Sequence, residues 1–191
     1  MIITRTISHL QEEDCHGWVL LDRGTSYLSS LIQKATGSPY SHVGIVVKEG
    51  NRLDVCEVRE FIGGRRQPLR SQVGTNKIDV FKPVDAALEH WDRETTAEMI
   101  NLMAGTSYGY GSIFRIIMRK LPLLWRFTAI SDDEARPTVK EVANVKPICS
   151  QAVFLAMAEG GLPPISRKPS YLVTPGDIGH SPLLEPWGRL S

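Results

Sequence analysis

Cysteine is scarce in this chain of 191 residues, with three at positions 15, 56 and 149. The number is odd and no pair has metal-ligand spacing, which argues against a disulfide framework and against a zinc site. Long apolar runs are also missing. The longest, IFRIIMRKLPLLW, is interrupted by Arg115, Arg119, Lys120 and Pro122, so it does not read as a bilayer-spanning helix. The opening residues, MIITRTISHLQEED, hold no apolar core followed by a cleavage site, so no secretory signal is visible. Charge of one sign is not in excess: the formal net charge is +1, and no global field points to nucleic acid or to an acidic polymer. Repeats and low-complexity tracts are absent. The expectation is a soluble protein, cytoplasmic or phage-associated, that needs neither cofactor nor metal and binds no nucleic acid.

Hydrophobic residues make up 42% of the chain and charged residues 23%, enough apolar material for an ordinary globular core. The length fits one domain over 1–191, with an insertion expected at about 112–147. A short β-rich run spans 17–23. Residues 26–36 place Leu28, Leu31, Ile32 and Ala35 on one helical face, with Gly37 as the C-cap and Pro39 beyond it. HVGIVV (42–47) and LDVCEV (53–58) flank a Gly50–Asn51 turn and are expected to pair as a hairpin. A further strand is expected at Lys77–Phe81, ended by Pro83, and one helix over 85–104 with Trp91, Ala97, Ile100 and Met103 among its apolar positions. GGRRQPLR (63–70) reads as a solvated basic loop. Segment 105–111 reads as a turn-rich connection, 112–127 as apolar, basic helix on either side of Pro122, and 131–147 as an exposed loop. A helix is expected from Cys149 to Glu159, capped by Gly160–Gly161, and the proline-rich tail is expected to add a last short strand. Strands and helices alternate irregularly, which defines an α+β class.

Two residues stand where chemistry is favoured. Cys149 opens a mostly apolar helix, where the helix dipole favours a thiolate and unbonded N–H groups can receive an oxyanion. Taken alone, it reads first as a small buried apolar residue. His42 stands at a strand entry directly after a tight turn, aimed by rigid backbone, though taken alone it reads first as a core histidine. His9, His16, His90 and His180 lack that setting. An imidazole base is usually oriented by a third polar group. Asp54 and Glu57, on the paired strand, both offer a carboxylate but lie on opposite faces, and the pattern does not choose between them.

The runs ATGSPYSHVGIVV (35–47), VCEV (55–58), YGYGSI (108–113), ICSQAV (148–153) and TPGDIGHSPLL (174–184) together resemble the circularly permuted NlpC-type, YiiX/YebB-like papain-fold hydrolases. In that family the papain-like scaffold is opened so that the histidine strand precedes the cysteine helix: an antiparallel sheet packed on helices, with the nucleophile at a helix N-terminus. The resemblance implies that Cys149 is the nucleophile and His42 the general base. It also implies that Glu57, rather than Asp54, orients His42. Val58 departs from the alanine often found after that glutamate.

The resemblance further implies cleavage of an amide bond in a peptide, a muropeptide of peptidoglycan or an acyl amide. Lipid-directed thioesterase or acyltransferase chemistry on the same scaffold is the alternative, and a non-catalytic binding module is another. Tyr40, two residues before His42, is a candidate substrate-binding group, but reads first as a packing aromatic. Segment 112–127 mixes large apolar residues with arginines and can either pack with a basic outer face or contact a membrane surface.

Overall fold

The computed structural model describes residues 2–74, 77–107, 147–165 and 168–191. At the N-terminus a two-residue strand β1 (Thr4–Arg5) leads into helix α1 (Ile7–Glu12), which Thr6 and His9 close with a reciprocal capping box. Strand β2 (Val19–Arg23) follows, then helix α2 (Tyr27–Thr36), whose chain reverses at Gly37 in the left-handed conformation (φ 65°) that glycine adopts without strain. The predicted apolar face of α2 does not enter the core. Leu31 is exposed, Leu28, Ile32 and Ala35 are half-buried, and Ser29 is the helix's one buried residue.

Strands β3 (His42–Glu49) and β4 (Arg52–Arg59) form the expected antiparallel hairpin, with Gly50 at positive φ in its turn. The basic run 63–70 corrects the reading above: it is not a solvated loop. Gly63–Pro68 is strand β5, paired antiparallel with β4 along its whole length. Its arginines are held by carboxylates on β4, a long-range pairing that local composition does not reveal. Strand β6 (Lys77–Pro83) lies where expected.

The single helix expected over 85–104 is two, α3 (Asp85–Leu88) and α4 (Arg93–Leu102). Asp92 causes the break by accepting the Thr95 backbone N–H (3.0 Å), which starts a new helix at Arg93. Segments 112–127 and most of 105–111 and 131–147 lie outside the described residues.

Helix α5 (Cys149–Glu159) has the expected bounds and buries eight of its side chains. Its mostly apolar composition follows from packing on two sides, against α4 and against β3 and β4. The tail forms helix α6 (Pro175–Gly179), opened by a Thr174–Asp177 capping box, and strand β7 (Leu184–Leu190). That last strand is neither short nor peripheral. The sheet has seven strands in the order β1-β7-β6-β2-β3-β4-β5, so β7 sits between β1 and β6. Sheet and helices together make the α+β class expected. Among the described residues no helix is long and apolar enough to cross a membrane.

Candidate active site

The centre of the site is set by sheet register. Gly44 on β3 stands opposite Glu57 on β4, and His42, two residues earlier, shares Gly44's face. Having no side chain, Gly44 leaves the path open between them: a Cβ there would fall 2.8 Å from Val55 Cγ2 and 3.3 Å from Glu57 Cβ. Glu57 Oε2 lies 2.6 Å from His42 Nε2, and both side chains are buried. Asp54 points away, as alternation requires, and is held by Arg52 and Arg66.

The other oxygen of Glu57 is surrounded by donors. Arg65 on β5, directly opposite Glu57 in register, donates to Oε1 from Nε (2.8 Å), and its Nη2 lies 2.7 Å from the same oxygen as an ion pair. Gln72 Nε2 donates at 2.8 Å and Gln67 Nε2 at 3.3 Å. Arg59 lies 3.6 Å away through Nη1 while its Nη2 donates to Asp22 (3.0 Å), the residue paired with His42 on β2. Burial alone would push the Glu57 carboxyl upward. The imidazolium of His42, Arg59 and the Gln72 amide outweigh it and hold Glu57 well below the usual carboxylate range.

His42 shows the complementary balance. Burial works against its charged form, but the Glu57 carboxylate and then Cys149 raise its pKa to about 10. Nε2 belongs to Glu57. Nδ1 is buried and completes no hydrogen bond of ordinary geometry, while the Cys149 side chain is close enough to act on the ring. Cys149 is the first residue of α5 and 4% exposed. Ser150 ties this helix start down by donating to the Val173 carbonyl (2.6 Å). The first backbone bond along the helix runs from Ala152 N to Ile148 O (3.0 Å), so the amides of 149–151 precede the helical ladder.

The structure therefore brings Cys149, His42 and Glu57 together. It does not bring Tyr40 to them. The Tyr40 hydroxyl donates to Asp79 (2.9 Å), its ring meets Phe81 edge-on, and Arg23 lies over its face. Asp79 aligns with Leu21, one residue out of phase with the Asp22–His42 pair, so this contact is on the other side of the sheet. Three of the four competing histidines are engaged elsewhere: His9 in its capping box, His16 with the Lys48 backbone, and His180 Nδ1 with the Gly176 carbonyl; His90 is exposed. Cys15 and Cys56 are buried, and burial pushes both thiols up to about 11. The sequence reading missed Gly44, Arg59, Arg65, Gln67 and Gln72. Gly44, one strand alternation from His42, carried a signal, since a glycine inside a strand marks close backbone approach. The arginines carried none beyond their charge.

The fold and site define an α+β protein with a cysteine, a histidine and a glutamate gathered where β3 and β4 meet the start of a helix. The sequence matches no family model and no curated protein. Its fold is similar to that of the metalloprotein yiiX from Escherichia coli O157:H7, with a TM-score of 0.52 and 15% identity over 91% of this chain and 96% of that one. At that identity the likeness is one of fold. Among the described residues, no group of three or more His, Cys, Asp or Glu side chains is placed to hold a metal ion. The buried carboxylates Asp54, Glu57 and Asp79 are each occupied by arginine. These described donors do not fit a metal centre.

Proposed function

We propose that this protein is a papain-like cysteine hydrolase that cleaves an amide bond through an acyl-enzyme. The observation that carries the reading is a single imidazole with one nitrogen bonded to a buried carboxylate and a cysteine side chain acting on the same ring. A neutral thiol is a weak nucleophile, and an adjacent oriented base is the usual means of activating it. In keeping with its raised pKa, His42 holds the proton given up by Cys149 before attack, and Sγ then bonds to the substrate carbonyl carbon. His42 returns that proton to the leaving amine as the C–N bond breaks. Water then attacks the thioester, His42 takes its proton, and the acid and the free thiol are released. The start of α5 supports an oxyanion site, because its first amides precede the helical ladder. Glu57 stays ionised and orients His42 throughout.

Muropeptides and simple acyl amides are the substrates to try. Incubation followed by mass spectrometry should give hydrolysis products with the wild type. Cys149→Ser should lose at least roughly a hundredfold in rate, the scale of a lost catalytic group. Turnover by Cys149→Ser equal to wild type would exclude the mechanism.

A further inference from the structure

The proposed chemistry explains Cys149, His42 and Glu57 but leaves open why Glu57 carries so many donors. A carboxylate at 2% exposure tends toward its neutral form. If Glu57 were protonated, it would present an O–H to His42 Nε2. The imidazole proton would then sit on Nδ1, the nitrogen available to Cys149, and His42 could not accept the thiol proton. The ionised carboxylate accepts Nε2–H and leaves Nδ1 to exchange a proton with Cys149. The same logic makes the orienting carboxylate of other nucleophile–histidine sites depend on its charge.

We propose that Arg65 is a positioning residue of this site, keeping Glu57 ionised and its Oε2 turned to His42 by a hydrogen-bonded ion pair with Oε1. The pair is set by register, since Arg65 stands opposite Glu57 on the neighbouring strand. Nε donates to Oε1 at 2.8 Å and Nη2 lies 2.7 Å from the same oxygen, so one edge of the guanidinium faces the carboxylate with its charge. The other groups around Glu57 are accounted for. Gln67 and Gln72 are neutral donors to the same oxygen. Arg59 is farther, at 3.6 Å, and shares its charge with Asp22. His42 takes Oε2, and Cys149 acts on the His42 ring. Among the described residues, Arg65 is thus the cation in direct hydrogen-bond contact with Oε1.

This assignment rests on the hydrolase reading, and the test separates the two. The rate of Cys149 alkylation by iodoacetamide is followed from pH 4 to 9 in the wild type, Arg65→Gln and Arg65→Lys. The acid limb of the profile should move to higher pH by about one unit in Arg65→Gln, the scale of a lost opposite charge. The plateau at higher pH should change less than about threefold, since the carboxylate ionises there without help. Arg65→Lys should restore much of the shift. Gln72→Glu, which sets a second anion beside Glu57, should move the limb in the same direction and provides the test should Arg65→Gln not fold. A profile lowered uniformly with its midpoint unmoved would mean a structural role for Arg65 and would overturn the assignment alone. An unreactive wild-type Cys149 would overturn the hydrolase reading and this assignment with it.

Discussion

A carboxylate as buried as Glu57 ordinarily takes up a proton or stays out of the core. Here five side chains face it, and removing its charge has two consequences. Glu57→Gln leaves Arg59 and Arg65 facing a neutral amide, a broken buried pair that costs roughly 3 kcal/mol or more of stability by general experience. It also withdraws the charge that lifts the His42 pKa. Turnover in this variant should fall by roughly 10²–10⁴, the range for misaligned acid–base groups, with the stability loss read separately by urea unfolding. Wild-type turnover in Glu57→Gln would show that the carboxylate is structural only. Tyr40 illustrates the opposite case: two residues from His42, it spends its hydroxyl on Asp79, so proximity in sequence gave no place in the site.

At the scale of elements, the β3–β4 hairpin positions the site, and Gly44 is the β3 residue directly opposite Glu57. Gly44→Ala would set a methyl group 2.8 Å from Val55 Cγ2, 3.0 Å from the Cys56 carbonyl oxygen and 3.3 Å from Glu57 Cβ. The strands must part, at about 1–3 kcal/mol for overpacking. Glu57 is carried away from His42, so activity should fall by more than the stability loss alone would predict. A denaturant series with parallel turnover measurements checks this, and an unchanged midpoint would contradict it.

The hairpin was legible in the sequence because alternation and a Gly–Asn turn are local signals. So was α5, from its apolar run between Pro147 and Gly160–Gly161. Strand β5 was not legible. It is an edge strand of glycine and arginine whose reason for being ordered, Glu57 and Asp54, lies on another strand. The break between α3 and α4 turned on one side-chain cap at Asp92, which apolar spacing does not register. The pair His42 and Cys149 was suggested by setting, and Glu57 by family resemblance. The donors behind Glu57 required three dimensions.

For the whole molecule, buried charge pairs tie stability to pH on both sides of neutrality. Asp54, Glu57 and Asp79 are disfavoured as ions by burial, but arginines and, for Glu57, His42 lower all three carboxyl pKa values below their ordinary range. Their stabilisation is present above the unfolded carboxylate values of about 4 and is lost as pH falls through the folded values. His42, raised to about 10, contributes in the opposite sense. Its stabilisation is complete below the unfolded value of about 6.5 and is lost as pH rises toward and through 10. Thermal unfolding should therefore show greatest stability in mildly acidic solution, with a decline on the alkaline side that His42→Ala removes. An alkaline limb identical in wild type and His42→Ala would contradict the charge assignment.

The three thiols of the molecule provide the sharpest test of the site. Cys15, Cys56 and Cys149 are all buried, at 0%, 1% and 4% exposure, so exposure alone predicts similar, slow labelling. Burial raises the first two thiols to about 11, whereas Cys149 alone of the three acts on His42. In native protein at neutral pH, iodoacetamide followed by peptide mass spectrometry should label Cys149 at least roughly tenfold faster than the other two, as expected for an activated thiol, and His42→Ala should remove that advantage. Equal labelling of all three thiols, or none at Cys149, would contradict the assignment of this site as a cysteine nucleophile and its base.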